Sequence, residues 1–215
     1  MNHKVIGISG VAGSGKDTFY ELLSERIPCH RFSLADELKK EVNQWSRLHY
    51  NIDSVCCSRE EKEIIRPFLV FHGTTKRHAS EGRYWIEKLS DSILNSNTDS
   101  FKIITDIRYD DYENDEVSWL KDELGGLLVH VSQYTNFPDS NEGALLRKFR
   151  EPVNSEEARN DPKLKEKSDF QIEWEFLENG QIYQLSNYID NFVNWLSQEY
   201  EKRAIRYDFD KEGQG

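Results

Sequence analysis

Cysteine is scarce in this chain of 215 residues: only Cys29, Cys56 and Cys57 occur, and two of them are adjacent. Adjacent cysteines rarely pair with each other, and the spacing of the three does not match a metal site. The sequence therefore excludes a secreted disulfide scaffold and favours a reducing compartment. We expect a cytoplasmic protein.

Long hydrophobic runs and a surplus of basic residues are also missing. No segment approaches the roughly 20 apolar residues of a membrane-spanning helix, and residues 1–4 lead directly into a predicted strand, so we expect no membrane association and no signal peptide. The 28 Lys and Arg residues face 39 Asp and Glu residues, which gives a formal net charge of −11. Stable nucleic-acid binding is therefore not expected, although a local group of cations can still bind a small anion.

The hydrophobic pattern predicts a single α/β domain. At about 150 residues per domain, the length fits one large unit. Unbroken apolar runs at 4–9, 101–105 and 127–131 predict strands buried on both faces, with shorter strands at 31–34 and 170–174. Apolar residues at helical spacing separate them, at 19–27, 38–48, 60–71, 85–93, 117–124 and 185–200. This alternation predicts a three-layer α/β/α fold around a mostly parallel sheet.

The turn after the first strand carries the strongest functional signal. Residues 10–16, read as Gly10-Val11-Ala12-Gly13-Ser14-Gly15-Lys16, match the pattern of a phosphate-binding loop. Glycines let consecutive amides turn inward as a nest for phosphate oxygens, and the following helix adds the positive end of its dipole. The spacing predicts nucleotide binding by Gly10, Ala12, Gly13, Ser14, Gly15, Lys16, Asp17 and Thr18, with Lys16 also catalytic.

One position departs from the usual loop. Asp17 follows the lysine where a serine or threonine normally helps to hold Mg²⁺, and Thr18 comes next. A carboxylate is also a hard oxygen ligand, so Asp17 could hold the metal directly or through water. The alternative is that Asp17 is simply an acidic residue favoured at a helix start.

Ser14-Gly15-Lys16-Asp17-Thr18 resembles the phosphate loop of deoxynucleoside monophosphate kinases from tailed bacteriophages. Three further segments resemble that family in the same order: 32–39, 71–77 with the following Tyr84-Trp85, and 104–109. Glu37 stands where the family has a proline, and the likeness thins after residue 132. The resemblance implies a P-loop NTPase fold with a helical region that binds the nucleoside monophosphate (NMP), a lid, and the use of ATP and Mg²⁺; a viral source would place the protein in the host cytoplasm.

Strand ends and the resemblance together suggest catalytic and substrate-binding residues. Asp106 ends a strand, where it could associate with Mg²⁺ or orient the substrate, and Arg108 could bind the acceptor phosphate. The resemblance implies substrate contacts for Arg77 and, less directly, for Lys39, Arg83 and Trp85. Alternatives remain for each: a helix cap for Asp106, a surface ion pair for Arg108, solvated helix charges for Lys39, Arg77 and Arg83, and core packing for Trp85.

Residues 136–167 are locally basic in an acidic chain. A closing lid can deliver arginines to the transferring phosphoryl group and exclude water, and Arg147 and Arg150, which could share one helix face, are our candidates for this role. The alternative is a solubilising loop. The predicted division is thus a core at about 1–35, 101–135 and 168–205, an NMP-binding region at about 36–100, and a lid at about 136–167.

These features favour a kinase that transfers the γ-phosphoryl group of ATP to a (deoxy)nucleoside 5′-monophosphate. A kinase of another small metabolite, similar to phosphomevalonate kinases, or of modified bases in DNA is a second hypothesis. A nucleotide-binding module without transfer activity is a third. The base, the sugar and the number of subunits, a homodimer included, are left open.

Overall fold

A computed structural model describes residues 4–96, 99–138, 145–177 and 181–212, with side chains as far as residue 202. The predicted loop at 95–100 and the predicted lid lie partly outside these ranges, and the side chains of the tail lie outside them. Within these ranges six strands form one sheet: β1 (Val5–Ser9), β2 (Cys29–Phe32), β3 (Phe101–Ile104), β4 (Leu127–Pro138), β5 (Leu145–Phe149) and β6 (Phe170–Glu175).

The sheet is mostly parallel, with β1 near its centre. β1 lies between β3 and β4, β2 pairs with β3, and β6 pairs with residues 129–134 of β4, all in parallel. Only β5 is antiparallel, and it pairs with the distal end of β4 at residues 134–138. Because the carboxyl ends of the parallel strands share one edge, the loops that follow β1, β2 and β3 meet there.

Helices cover both faces of the sheet. They are α1 (Lys16–Ser24), α2 (Leu34–Tyr50), α3 (Arg59–Ala79), α4 (Arg83–Leu94), α5 (Glu116–Ser118, followed by a π-helical turn at Trp119–Glu123), α6 (Ser155–Lys167) and α7 (Ser186–Glu212, after a 3₁₀ turn at Ile182–Leu185). Ile6 and Ile8 of β1 pack towards α1 and α7, whereas Val5 joins the core under α4 and the π turn. Alternate residues of a strand face opposite sides, so this confirms the predicted three-layer fold.

The region predicted to bind the acceptor is helical. α2, α3 and α4 pack together, and a small core of Val42, Ile52, Ile65 and Leu69 lies between α2 and α3. The Glu41 carboxylate joins all three helices, because it accepts hydrogen bonds from His72 and Tyr84 and forms an ion pair with Lys88. These contacts make residues 34–94 a helical insertion between β2 and β3.

Residues 133–167 contain more regular structure than their polar sequence suggests. β4 continues to Pro138 and is followed by β5 and α6. Arg147 therefore lies in a strand and Arg150 just after it, so the shared helix face expected for them is wrong. None of the helices among the described residues is long and apolar enough to span a membrane.

Candidate active site

The phosphate loop, residues 10–16, links the end of β1 to the start of α1. Gly10, Gly13 and Gly15 all have positive φ angles, of 133°, 75° and 94°, which glycine adopts at little cost. At the start of α1 the amides of Lys16, Asp17 and Thr18 have no intrahelical acceptor, and Gly15 offers no side-chain cap. This is the arrangement that binds an anion at a helix N-terminus.

Lys16 lies folded against the loop. Its ammonium donates hydrogen bonds to the carbonyl oxygens of Gly10 at 2.6 Å and Val11 at 2.8 Å. Burial and the nearby guanidinium of Arg108 lower the pKa of Lys16 to about 8, against the opposing effect of the carboxylates around it. A cation held in this way would gain much from a phosphate group, which would relieve both its desolvation and its repulsion from Arg108.

Trp174 of β6 supports the loop from below. Its indole Nε1 donates to the Ser14 carbonyl at 3.0 Å. A Cβ atom at position 15 would lie 2.6 Å from the indole ring, so only glycine fits there. The loop conformation is therefore fixed by packing as well as by its own turns.

Two side chains from the segment after β5 lie over the loop. Arg150 donates from Nε to the Ala12 carbonyl at 2.9 Å, and its guanidinium covers Gly13. The Glu157 carboxylate accepts a hydrogen bond from the Ala12 amide at 3.3 Å and one from the Val153 amide at 3.2 Å. A carboxylate thus accepts the hydrogen bond of a loop amide that would otherwise bind a phosphate oxygen.

A cavity of about 360 Å³ opens beside the loop. It is lined by the start of α1, by Gln133 and Arg150, and by apolar residues near β6 such as Phe176 and Leu177. Cavities of roughly 300–1,000 Å³ with this mixture of apolar walls and a few charged groups are typical of small-molecule sites.

Asp106 follows β3 and contacts the start of α2. Its carboxylate accepts three hydrogen bonds, from the Ser33 hydroxyl at 2.8 Å and from the amides of Leu34 and Ala35 at 2.9 Å each. This is the helix-capping position that the sequence left open as an alternative. Asp106 nevertheless acts electrostatically on Lys16, so its charge lies within reach of the loop.

Arg108 lies in the segment after β3, and its side chain is exposed. Among the described residues no carboxylate lies within ion-pair distance of its guanidinium. The surface ion pair considered for Arg108 is therefore not seen here. Since its charge also affects Lys16, Arg108 lies within electrostatic reach of the phosphate loop.

Arg77, for which the resemblance implied a substrate contact, is buried among protein partners. The residue is only 5% exposed, and Asp115 accepts hydrogen bonds from both Nη1 and Nη2. Its guanidinium also stacks 3.9 Å from the Tyr109 ring. Because both nitrogens are taken and the group is buried, we do not assign Arg77 to substrate contact.

Arg83, Lys39 and Trp85, which were also predicted to bind substrate, have partners within the protein. Arg83 forms an ion pair with Glu123 at 2.5 Å, and Lys39 with Asp36 at 2.8 Å. Trp85 is buried and donates from Nε1 to the Gly73 carbonyl, which is the core role kept as its alternative. Nothing in these contacts points to a ligand.

The two lid arginines differ in where they lie. Arg150 touches the phosphate loop, whereas the Arg147 guanidinium lies 4.5 Å from the Tyr134 ring centre on the β4–β5 hairpin. α6, which belongs to the predicted lid, is held to the core by Arg159 and Lys163, both paired with Asp111. Arg150 is thus the lid residue best placed to meet phosphates.

Mg²⁺ fits this site only in part through protein groups. Among the residues that the structure describes, no three Asp, Glu, His or Cys side chains could hold a metal ion together. Asp17 is exposed at the start of α1 beside Lys16, and Asp106 has both oxygens in hydrogen bonds. Mg²⁺ usually takes one or two carboxylates and completes its shell with phosphates and water, so Asp17 suits it best.

Three residues that hold backbone groups near this site were not found from the sequence: Glu116, which accepts the amides of Arg108 and Tyr109, Glu157 and Trp174. Glu157 and Trp174 act on backbone groups 145 and 160 positions away, and the partners of Glu116 lie seven and eight positions back, so no local motif marks these contacts. A periodic pattern places Trp174 in a strand, but only the strand order brings it under the loop.

Comparisons with known proteins add little to this picture. No protein-family model matches the chain, and no curated protein matches it in sequence. Among solved structures, a dephospho-CoA kinase from Campylobacter jejuni is similar, with a TM-score of 0.44 and 14% sequence identity over 89% of this chain and 97% of that one. The fold described above rests on the strand order and the phosphate loop of this chain itself.

Proposed function

We propose that this chain transfers the γ-phosphoryl group of ATP to the phosphate of a (deoxy)nucleoside monophosphate. One observation carries the proposal: the charge of Arg108 acts on Lys16 of a glycine-lined loop, Arg150 contacts the same loop, and neither arginine has a carboxylate partner among the described residues. In a chain with 39 acidic residues, unpaired guanidinium groups beside a phosphate loop favour a polyanionic ligand.

The donor would bind along the loop. The free amides at the start of α1 and Lys16 would hold the β- and γ-phosphates, and the nucleoside end would enter the 360 Å³ cavity beside Phe176. Arg150 would turn from the Ala12 carbonyl towards the phosphates. Mg²⁺ at Asp17 would offset the charge of the triphosphate. Phosphoryl transfer needs little more than such positioning and charge stabilisation.

The acceptor would approach from the side of Arg108. A hydroxyl acceptor needs a general base, but the nearby Asp106 carboxylate already accepts three hydrogen bonds. A phosphate acceptor is anionic and needs no base, and it would pair with Arg108. This contrast, together with the resemblance of four segments to nucleotide kinases, supports a monophosphate as the acceptor.

The test is an ADP-release assay with Mg²⁺-ATP and a panel of acceptors. The panel holds the common ribo- and deoxyribonucleoside monophosphates, mevalonate phosphate, DNA with modified bases, and dephospho-CoA, the substrate in the name of the structural neighbour. We expect turnover with at least one monophosphate and none for Lys16→Ala. Faster turnover of a non-nucleotide acceptor or of DNA would replace the proposed acceptor, and ATP binding without any transfer would leave only a nucleotide-binding module.

A further inference from the structure

We propose that Glu116 is a positioning residue that holds Arg108 near the phosphate loop; the inference rests on the function proposed above. Glu116 opens α5 and is 6% exposed. Its Oε2 accepts hydrogen bonds from two consecutive amides, that of Arg108 at 2.6 Å and that of Tyr109 at 3.1 Å. One buried oxygen thus fixes the backbone at the point where the Arg108 side chain leaves it.

Buried charged residues of α3 and of the start of α5 bind one side of the segment that begins at Arg108. Arg77 of α3 lies with Nη1 3.8 Å from Glu116 Oε1 and pairs with Asp115. The Asp115 carboxylate also accepts the amides of Asp111 at 2.8 Å and Tyr112 at 3.3 Å. The role that the structure gives Arg77 is therefore to join the helical insertion to the backbone that carries Arg108.

The upper side of the same segment is held by α6. The Tyr109 hydroxyl donates to Glu156 at 2.9 Å, and the Asp110 amide donates to Asn160 at 3.0 Å. The main chain of residues 108–111 is thus bonded on both sides, whereas the Arg108 side chain is exposed. A backbone held in this way can present the Arg108 guanidinium to a ligand in one fixed position.

The decisive variants change the Glu116 acceptor by small steps. Glu116→Gln keeps an oxygen of the same reach, so we expect kcat/KM for the acceptor to stay within about threefold of the wild type. Glu116→Asp withdraws the oxygen by about one bond length, and because misplacement by about 1 Å can cost roughly 100-fold, we expect a loss of about 10- to 100-fold. Glu116→Ala should match or exceed that loss.

A double-mutant cycle with Arg108→Ala separates positioning from general stability. If Glu116 acts through Arg108, then Glu116→Asp costs much less in kcat/KM when Arg108 is already absent. A merely structural role would lower the unfolding temperature, leave kcat/KM per folded molecule unchanged, and give effects that multiply. Either of the last two results would overturn the inference.

The same cycle is measured for nucleoside monophosphate affinity by calorimetry, which needs no turnover. If the wild type transfers no phosphoryl group to any acceptor, the proposed function fails. A non-multiplicative loss of monophosphate affinity in the cycle would still support positioning by Glu116. Unchanged affinity in Glu116→Asp together with lost affinity in Arg108→Ala would refute it.

Discussion

Glu157→Gln is expected to strengthen ATP binding, because a carboxylate now lies where phosphate oxygens would bind. Glu157 Oε2 accepts the Ala12 amide at 3.3 Å, and its charge acts on Lys16. A carboxylate and a phosphate group about 5 Å apart would repel each other by about 3 kcal/mol at an effective dielectric constant of about 20. The side chain is partly exposed and can turn away, so we expect about 1 kcal/mol to remain, which corresponds to roughly a fivefold lower Kd for ATP.

The assay is isothermal calorimetry with ATP and Mg²⁺ at low ionic strength. Glu156→Gln is the matched control, since Glu156 is the adjacent residue of α6 and accepts its hydrogen bond from the Tyr109 hydroxyl instead of from the loop. We expect its ATP affinity to equal that of the wild type. An unchanged or weaker affinity in Glu157→Gln would refute the reasoning that this carboxylate competes with phosphate.

Three further predictions follow from the charges of the site. ATP should raise the lowered pKa of Lys16, so binding at pH about 8 should take up a proton, measurable as a dependence of the calorimetric heat on the buffer, and affinity should fall above that pH. Arg77→Leu leaves Asp115 buried without its partner and should lower the free energy of unfolding, measured in urea, by about 3–5 kcal/mol. The control is Arg83→Leu, which removes a partly exposed pair with Glu123 and should lower the free energy of unfolding by less than about 1 kcal/mol. Burial raises the pKa of Glu116 from 4.5 to about 8, with the carboxylates of Asp115 and Asp106 acting in the same direction and Arg77 and the Arg108 amide against it. The folded state thus holds this proton more tightly than the unfolded chain. The free energy of unfolding should therefore fall as the pH rises from about 5 to 8, relative to that of Glu116→Gln, by up to ~1.4 kcal/mol per pH unit. Parallel plots of unfolding free energy against pH for the two proteins would contradict this.

The sequence predicts those parts of the fold in which local pattern and burial agree. The apolar run of β1, the glycines that follow it and the stripe of Trp85, Leu89 and Ile93 are all found where expected. Parallel strands buried on both faces and helices with one apolar face leave a strong signal in the residue order. These elements fix the three layers and place the phosphate loop at the carboxyl edge of the sheet.

The pattern fails where a helix carries more apolar residues than its partners can cover. Leu48, Ile64 and Phe71 continue the predicted stripes, yet Leu48 is 78% exposed and the other two are also exposed. α2 and α3 contact each other through a core of only four buried side chains. Periodicity indicates which residues share a face, but not how much of that face another element covers.

The candidate site shows the same limit for charged residues. The position of Lys16 in the phosphate loop is determined by a local motif and could be predicted from the sequence. Arg77 and Arg108 look alike in sequence, but one pairs with Asp115, 38 positions away, and the other has no such partner among the described residues. Only the fold determines which arginine is neutralised by a carboxylate, and the local motif does not show it.

Transfer of label from γ-labelled ATP to a nucleoside monophosphate distinguishes a kinase from a protein that only binds nucleotide. The purified chain is incubated with the labelled ATP, Mg²⁺ and each nucleoside monophosphate, and the products are separated by ion-exchange chromatography. We expect label in a nucleoside diphosphate, and none when Lys16 is replaced by alanine. Label that stays in ATP or appears only as inorganic phosphate, with every monophosphate tried, would contradict it.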